Sequence, residues 1–129
     1  MSETIITGAI LLIEDDPQLR KLFQKKLAGR GYEIMEASNG KEGLSRFQEK
    51  PMDLVITDIV MPEKEGLETI SELRKMSSDI KIIAISGGGR IGPESYLNTA
   101  RHLGANRIFP KPIDWPEMVK AIESLLKLS

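Results

Sequence analysis

Asp53–Gly66 reads DLVITDIVMPEKEG: a short apolar run stops on a carboxylate, passes through a turn and re-enters helical spacing. Leu54–Thr57 is too short for a helix and rich in β-branched side chains, as expected of a strand buried on both faces. It ends on Asp58, and Leu67, Ile70 and Leu73 beyond Gly66 then share one face of a helix. A strand, an acidic end and a helix make one unit of an alternating α/β fold. In open sheets of that kind ligands gather outside the carboxyl ends of the strands, which makes Asp58 the first candidate functional residue.

The same unit recurs on either side. Ile10–Ile13, Glu33–Ala37, Lys81–Ile85 and Arg107–Phe109 are the other strand-like runs. Leu19, Leu22, Phe23 and Leu27 predict a helix that begins at Pro17 and stops before Gly29 and Gly31. Lys41–Gln48 is a second helix, around Leu44 and Phe47. Tyr96, Leu97, Ala100 and Leu103 form the fourth, closed by Gly104; Val119, Ile122, Leu125 and Leu126 form the fifth, capped by Asp114 with Pro116 just inside. Five strands alternating with five helices imply right-handed crossovers and a parallel sheet with helices on both faces.

The 129 residues match a single domain and leave no length for a second. Residues 1–8 are read as an N-terminal extension and 9–129 as the folded unit. Lys and Arg number 18 against 19 Asp and Glu, with no run of one sign, so the chain lacks the footprint of a nucleic-acid or anionic-membrane binder. With no cysteine it has neither disulfides nor thiol chemistry. The longest apolar stretch, Ala9–Ile13, is far below the roughly 20 residues of a membrane span. Met1–Thr7 lacks the features of an export signal, so the expected compartment is the cytoplasm.

The polar residues at the strand ends converge. The first strand runs into Glu14, Asp15 and Asp16, the third into Asp58, the fourth into Ser86 and the fifth into Lys111. Carboxylates crowded together need a cation, a shared proton or water. Hard oxygen ligands without His or Cys suggest Mg²⁺, and a carboxylate beside such an ion can act as a nucleophile toward phosphorus. Lys111 and Ser86 supply a charge and a hydroxyl for the same oxygens.

The segments ILLIEDD, DLVITDIVMPEKEG, IIAISG and PKP, in this order and at these strand ends, resemble the receiver domains of two-component response regulators, of the stand-alone, chemotaxis-regulator-like kind, from Ala9 onward. The resemblance implies a flavodoxin-like sheet of order 2-1-3-4-5 and a phosphoryl-accepting switch that is not an enzyme. It implies Asp58 as phosphoacceptor, Asp15 as direct Mg²⁺ ligand, Glu14 acting through water, and the Val60 carbonyl on the metal. Ser86 and Lys111 would meet the phosphoryl group, Met61 and Pro62 would shape the turn after Asp58, and Lys111-Pro112 would be cis. A histidine kinase or phosphotransfer protein is the implied donor and a downstream protein the implied target, with neither nucleic acid nor membrane bound and a monomer or weak dimer as the state. The sequence departs from the family at Ile108, where an aromatic ring is usual, and at the Gly87-Gly88-Gly89 run.

Plainer readings stand beside these. Asp15 and Asp16 precede a helix whose N-terminus favours anions, Asp58 can cap a turn, Lys111 can be a solvated surface lysine, and serine before glycine is ordinary turn chemistry. His102 reads as a partly exposed helix residue and Trp115 as packing of the last helix onto the sheet. Gly87, Gly89 and Gly92 spell a dinucleotide-like GxGxxG, but Pro93 removes a backbone donor and too little chain follows. Two alternatives to the switch are a receiver-fold module that binds partners without phosphate, and an Mg²⁺-dependent phosphatase working through an aspartyl phosphate. The latter normally has an acid where this chain has Val60.

Overall fold

A computed structural model describes residues 8–59, 65–86 and 100–127. The strands are β1 (Gly8–Ile13), β2 (Tyr32–Ala37), β3 (Leu54–Asp58), β4 (Lys81–Ser86) and β5 (Arg107–Pro110). The helices are α1 (Pro17–Leu27), α2 (Gly40–Glu49), α3 (Glu65–Met76), α4, described over residues 100–103, and α5 (Trp115–Lys127). All strand pairs are parallel and the order is β2-β1-β3-β4-β5, the flavodoxin-like arrangement. Val60, Met61, Pro62, the glycines 87, 88, 89 and 92, Pro93, Tyr96 and Leu97 lie outside the described residues.

Alternation along the strands divides the core in two. Ile10 and Leu12, Leu54 and Ile56, Ile83 and Ile85, and Phe109 point to one face, where α1 and α5 cover them with Phe23, Leu27, Met118 and Ile122. Leu11, Ile13, Val55, Ile82 and Ala84 point to the other, against Ile70 and Leu73 of α3 and Ala100 of α4. A central strand with helices on both sides has no wet face, which is why β1, β3 and β4 read as unbroken apolar runs. Edge strands escape that rule: β5 accommodates Pro110 because its outer side needs no ladder partner.

Local chemistry sets the helix ends. Asp16 caps α1 by accepting the Gln18 N–H at 2.9 Å, and Asn39 caps α2 by accepting the Glu42 N–H at 2.8 Å. Asp114 accepts the Glu117 N–H at 3.2 Å at the start of α5. Each satisfies a backbone donor that the helix itself leaves unpaired.

One expectation is corrected. Leu22 was grouped with the buried face of α1 but is 41% exposed, because the sheet side of the helix is filled by Leu19, Phe23 and Leu27. Trp115 is part-buried against the core that α1 and α5 share with the sheet, in line with its expected packing role, and its ring also meets Phe23 of α1 edge to face, centroids 4.8 Å apart. His102 is exposed on α4, as read. Ile108 and Phe109 take opposite faces of the sheet, again as alternation requires.

Candidate functional site

Register brings the polar residues to one edge. Ile13 pairs with Thr57, Asp58 with Ile85, and Ser86 with Pro110, so Glu14, Asp58, Ser86 and Lys111 emerge side by side at the carboxyl ends of four strands. The Lys111 N–H donates to the Ser86 carbonyl at 2.8 Å, tying the ends of β4 and β5. The Lys111-Pro112 peptide is cis.

Glu14 and Ser86 are fully buried, and Asp58 is 3% exposed. Asp15 faces solvent. One carboxylate oxygen from each of Glu14, Asp15 and Asp58 falls within 4.8 Å of the others. Lys111 Nζ donates to Asp58 Oδ2 at 2.9 Å and stands 3.4 Å from Glu14 Oε1. Asp16, although it follows the acidic pair directly, is spent on capping α1.

One ammonium cannot balance three carboxylates, and the strain falls on Glu14. Burial, then the charge of Asp58, push its carboxyl up to about 8, against the opposing pull of the Asp16 N–H and of Lys111. Burial pushes the Lys111 ammonium down, but the hydrogen bond and charge of Asp58 and the charge of Glu14 outweigh it and leave its pKa raised. Glu14 Oε2 accepts the Asp16 N–H at 3.1 Å, while buried Oε1 has no hydrogen bond among the described residues. A buried carboxylate oxygen left in that state beside two further carboxylates fits a hard divalent cation or its water. Glu14, Asp15 and Asp58 are the side chains that could hold such an ion; Val60 lies outside the described residues.

The backbone of the site is held from behind. Gly66, in the first turn of α3, packs directly on the Asp58–Ile59 backbone, where any side chain would collide. The Glu14 N–H donates to the Ala37 carbonyl at 3.0 Å, extending the β1–β2 ladder by one residue.

Sequence reasoning missed Arg20. Its Nη1 donates to the Glu14 carbonyl at 2.7 Å and its Nε to Glu36 Oε1 at 2.9 Å. Arginine one turn into an amphipathic helix looks like any solvated cation, and its spacing from Glu14 and Glu36 carries no signal until β1, α1 and β2 are assembled.

Comparison with known proteins agrees with this geometry. Residues 10–123 match the response regulator receiver domain family. The chain is 33% identical over 117 residues to the response regulator receiver protein CpdR of Brucella abortus, covering 91% of this chain and 95% of that protein. It is 32% identical over 120 residues to the transcriptional regulatory protein GlrR of Escherichia coli, covering 93% of this chain but only 26% of GlrR. It likewise spans about half of a ycf27 regulator, 48% of the one from Cyanophora paradoxa. Among solved structures, a CheY-like receiver domain protein from Methanospirillum hungatei superposes with a TM-score of 0.84 at 24% identity, over 94% of both chains. A receiver domain protein from Clostridium thermocellum superposes at 0.82 with 28% identity, over 93% of this chain and 94% of that one. With the five-stranded parallel sheet, the acidic cluster beyond it and a family match across most of its length, the chain belongs to the response regulator receiver domains.

Proposed function

We propose that this protein is a phosphoryl-accepting switch in which Asp58 is the acceptor. The observation that carries the reading is the contact of Lys111 Nζ with Asp58 Oδ2 at 2.9 Å, inside a cluster of three carboxylates at the carboxyl edge of the sheet. An Asp58 carboxylate oxygen attacks the phosphorus of a phosphohistidine on a kinase or phosphotransfer protein. The new P–O bond forms as the P–N bond breaks, and the departing imidazole takes a proton from water. Glu14, Asp15 and Asp58, with the Val60 carbonyl, would hold Mg²⁺, which when bound would supply positive charge for the approach of the anionic donor.

The chain's own residues do the rest. Lys111 moves its hydrogen bond from the carboxylate to a phosphoryl oxygen, and Ser86 donates its hydroxyl to another. The added charge of about −2 then favours a state in which both groups close on the phosphoryl oxygens. Residues 9–129 form the domain that switches, the signal leaves through a changed protein-binding surface in the cytoplasm, and no outside substrate is turned over. Ile108 is part-buried on the α3 and α4 side of the sheet, so the readout works through aliphatic packing rather than an inward-swinging ring.

The test is incubation with Mg²⁺ and a small acyl phosphate, followed by intact-mass measurement of wild type and Asp58→Asn. One phosphoryl adduct on wild type alone, abolished by chelator, is the expected result. No adduct with any donor, alongside partner binding that Asp58→Asn leaves unchanged, would establish the phosphate-independent module instead.

A further inference from the structure

We infer that Arg20 is a positioning residue for the metal: it presets the turn that carries Asp15. This rests on the Mg²⁺ reading above. The backbone N–H of Arg20 donates to the Asp16 carbonyl at 3.1 Å, and its side-chain Nη1 donates to the Glu14 carbonyl at 2.7 Å. The first is the ordinary opening bond of the helix and is independent of the side chain; the guanidinium adds the hold on the carbonyl before Asp15.

The guanidinium is itself anchored. Its Nε donates to Glu36 Oε1 at 2.9 Å, and the other oxygen of Glu36 accepts from Gln24 Nε2 at 2.8 Å. Glu36 lies on β2 next to Ala37, whose carbonyl takes the Glu14 N–H at 3.0 Å. Two strands and one helix thus converge on the acidic turn through Arg20. The Arg20 side chain is 20% exposed and that of Glu36 37%. An isolated pair at such exposure contributes little to stability, so an ordinary surface role leaves the carbonyl contact unexplained. The planar fork of arginine can bridge a carboxylate and a carbonyl at once, which a lysine ammonium does with far less geometric control.

The consequence is a lower ordering cost for binding. Asp15 is exposed, and a ligand on an unfixed turn must be immobilised when the cation arrives; with both flanking carbonyls held, part of that entropy is already lost in the metal-free protein. Groups that orient ligands without touching the metal have measurable effects on affinity of this kind.

The experiment is calorimetric titration of Mg²⁺ into the full chain, comparing wild type, Arg20→Met, Glu36→Gln and Arg30→Met. Arg30 pairs with Glu123 at 2.8 Å just beyond α1 and serves as an ion-pair control remote from the turn. Arg20→Met should weaken Mg²⁺ binding about tenfold. Glu36→Gln should weaken it less, and Arg30→Met should leave it unchanged. The Mg²⁺ concentration for half-maximal phosphorylation by an acyl phosphate should rise in parallel, with the wild-type rate recovered at saturating Mg²⁺. A purely structural role would lower the melting temperature without this split.

If wild type binds Mg²⁺ and folded Arg20→Met binds it equally well, the positioning role is overturned and the metal reading stands. If wild type binds no Mg²⁺, both fall together. Should Arg20→Met fail to fold, Glu36→Gln decides: weaker binding upholds the inference and unchanged binding overturns it.

Discussion

Gly66 stands so close to Asp58 that a Cβ on it would lie 2.5 Å from the Asp58 carbonyl oxygen and 2.3 Å from the Cα of Ile59. The first turn of α3 is therefore seated on the backbone that presents the candidate phosphoacceptor. Gly66→Ala should push helix and strand apart and cost about 1–3 kcal/mol in urea unfolding, a typical penalty for overpacking. Phosphorylation by an acyl phosphate should slow in the same variant; an unchanged midpoint and rate would mean that the helix yields freely.

Glu14 predicts an unusual pH dependence for the metal-free protein. Its folded pKa is raised from 4.5 to about 8, so the folded state holds a proton that the unfolded state has released between those values. The stability this contributes is fully present below 4.5 and is lost as pH rises through about 8. In chelator, the melting temperature of Glu14→Gln should fall less across that window than that of wild type. Parallel curves for the two proteins would refute the assignment.

Arg74 should be the costliest surface-side arginine to remove. From α3 it donates to the carbonyls of Ile80 at 2.6 Å, Ser78 at 3.0 Å and Gly104 at 2.7 Å, joining the loops that precede β4 and β5. Gly104 adopts φ +117°, and a Cβ there would meet Arg74 Nε at 2.9 Å, so loop conformation and arginine depend on each other. Arg74→Met should lower unfolding free energy by about 1.5–3 kcal/mol, the range for hydrogen bonds to charged groups. Chemical denaturation measures it, with Lys75→Met as the exposed neighbour expected to be silent.

Phe23 and Trp115 report on the junction of α1 and α5. Phe23 is fully buried and its ring meets Trp115 with an interplanar angle of 77°. Phe23→Ala should cost about 3–5 kcal/mol. Emission from Trp115, the single tryptophan, should shift to the red as its ring gains water. A destabilised variant with unshifted emission would show that Trp115 is held by something other than this pair.

Much of the architecture was legible because periodicity reports burial directly. The runs at Ile10, Leu54 and Lys81 became strands within two residues of their expected limits, since a strand covered on both faces must be apolar throughout. Leu22 shows where that signal fails. Helical spacing places it beside Phe23, but periodicity does not say how wide a stripe the sheet covers, and the stripe ends short of Leu22. For Trp115 apolarity predicted that the ring is covered, but its contact with Phe23 of α1 is not in the spacing.

By itself the sequence determined the kind of site: acidic residues, a serine and a lysine placed after successive buried strands, with helices long enough to return the chain to the same sheet edge. These are properties of local spacing and residue chemistry, and parallel topology turns them into proximity without further information. Only the tertiary structure decided which charges interact and how strongly. Lys111 reaches Asp58 across 53 positions of chain, Glu14 is buried beside Asp58 and raised toward neutrality, and Arg20 grips a turn that no pattern connects to it. Distance, burial and shared counter-charge depend on how β1, β3 and β5 are set against one another, and a linear pattern holds none of them.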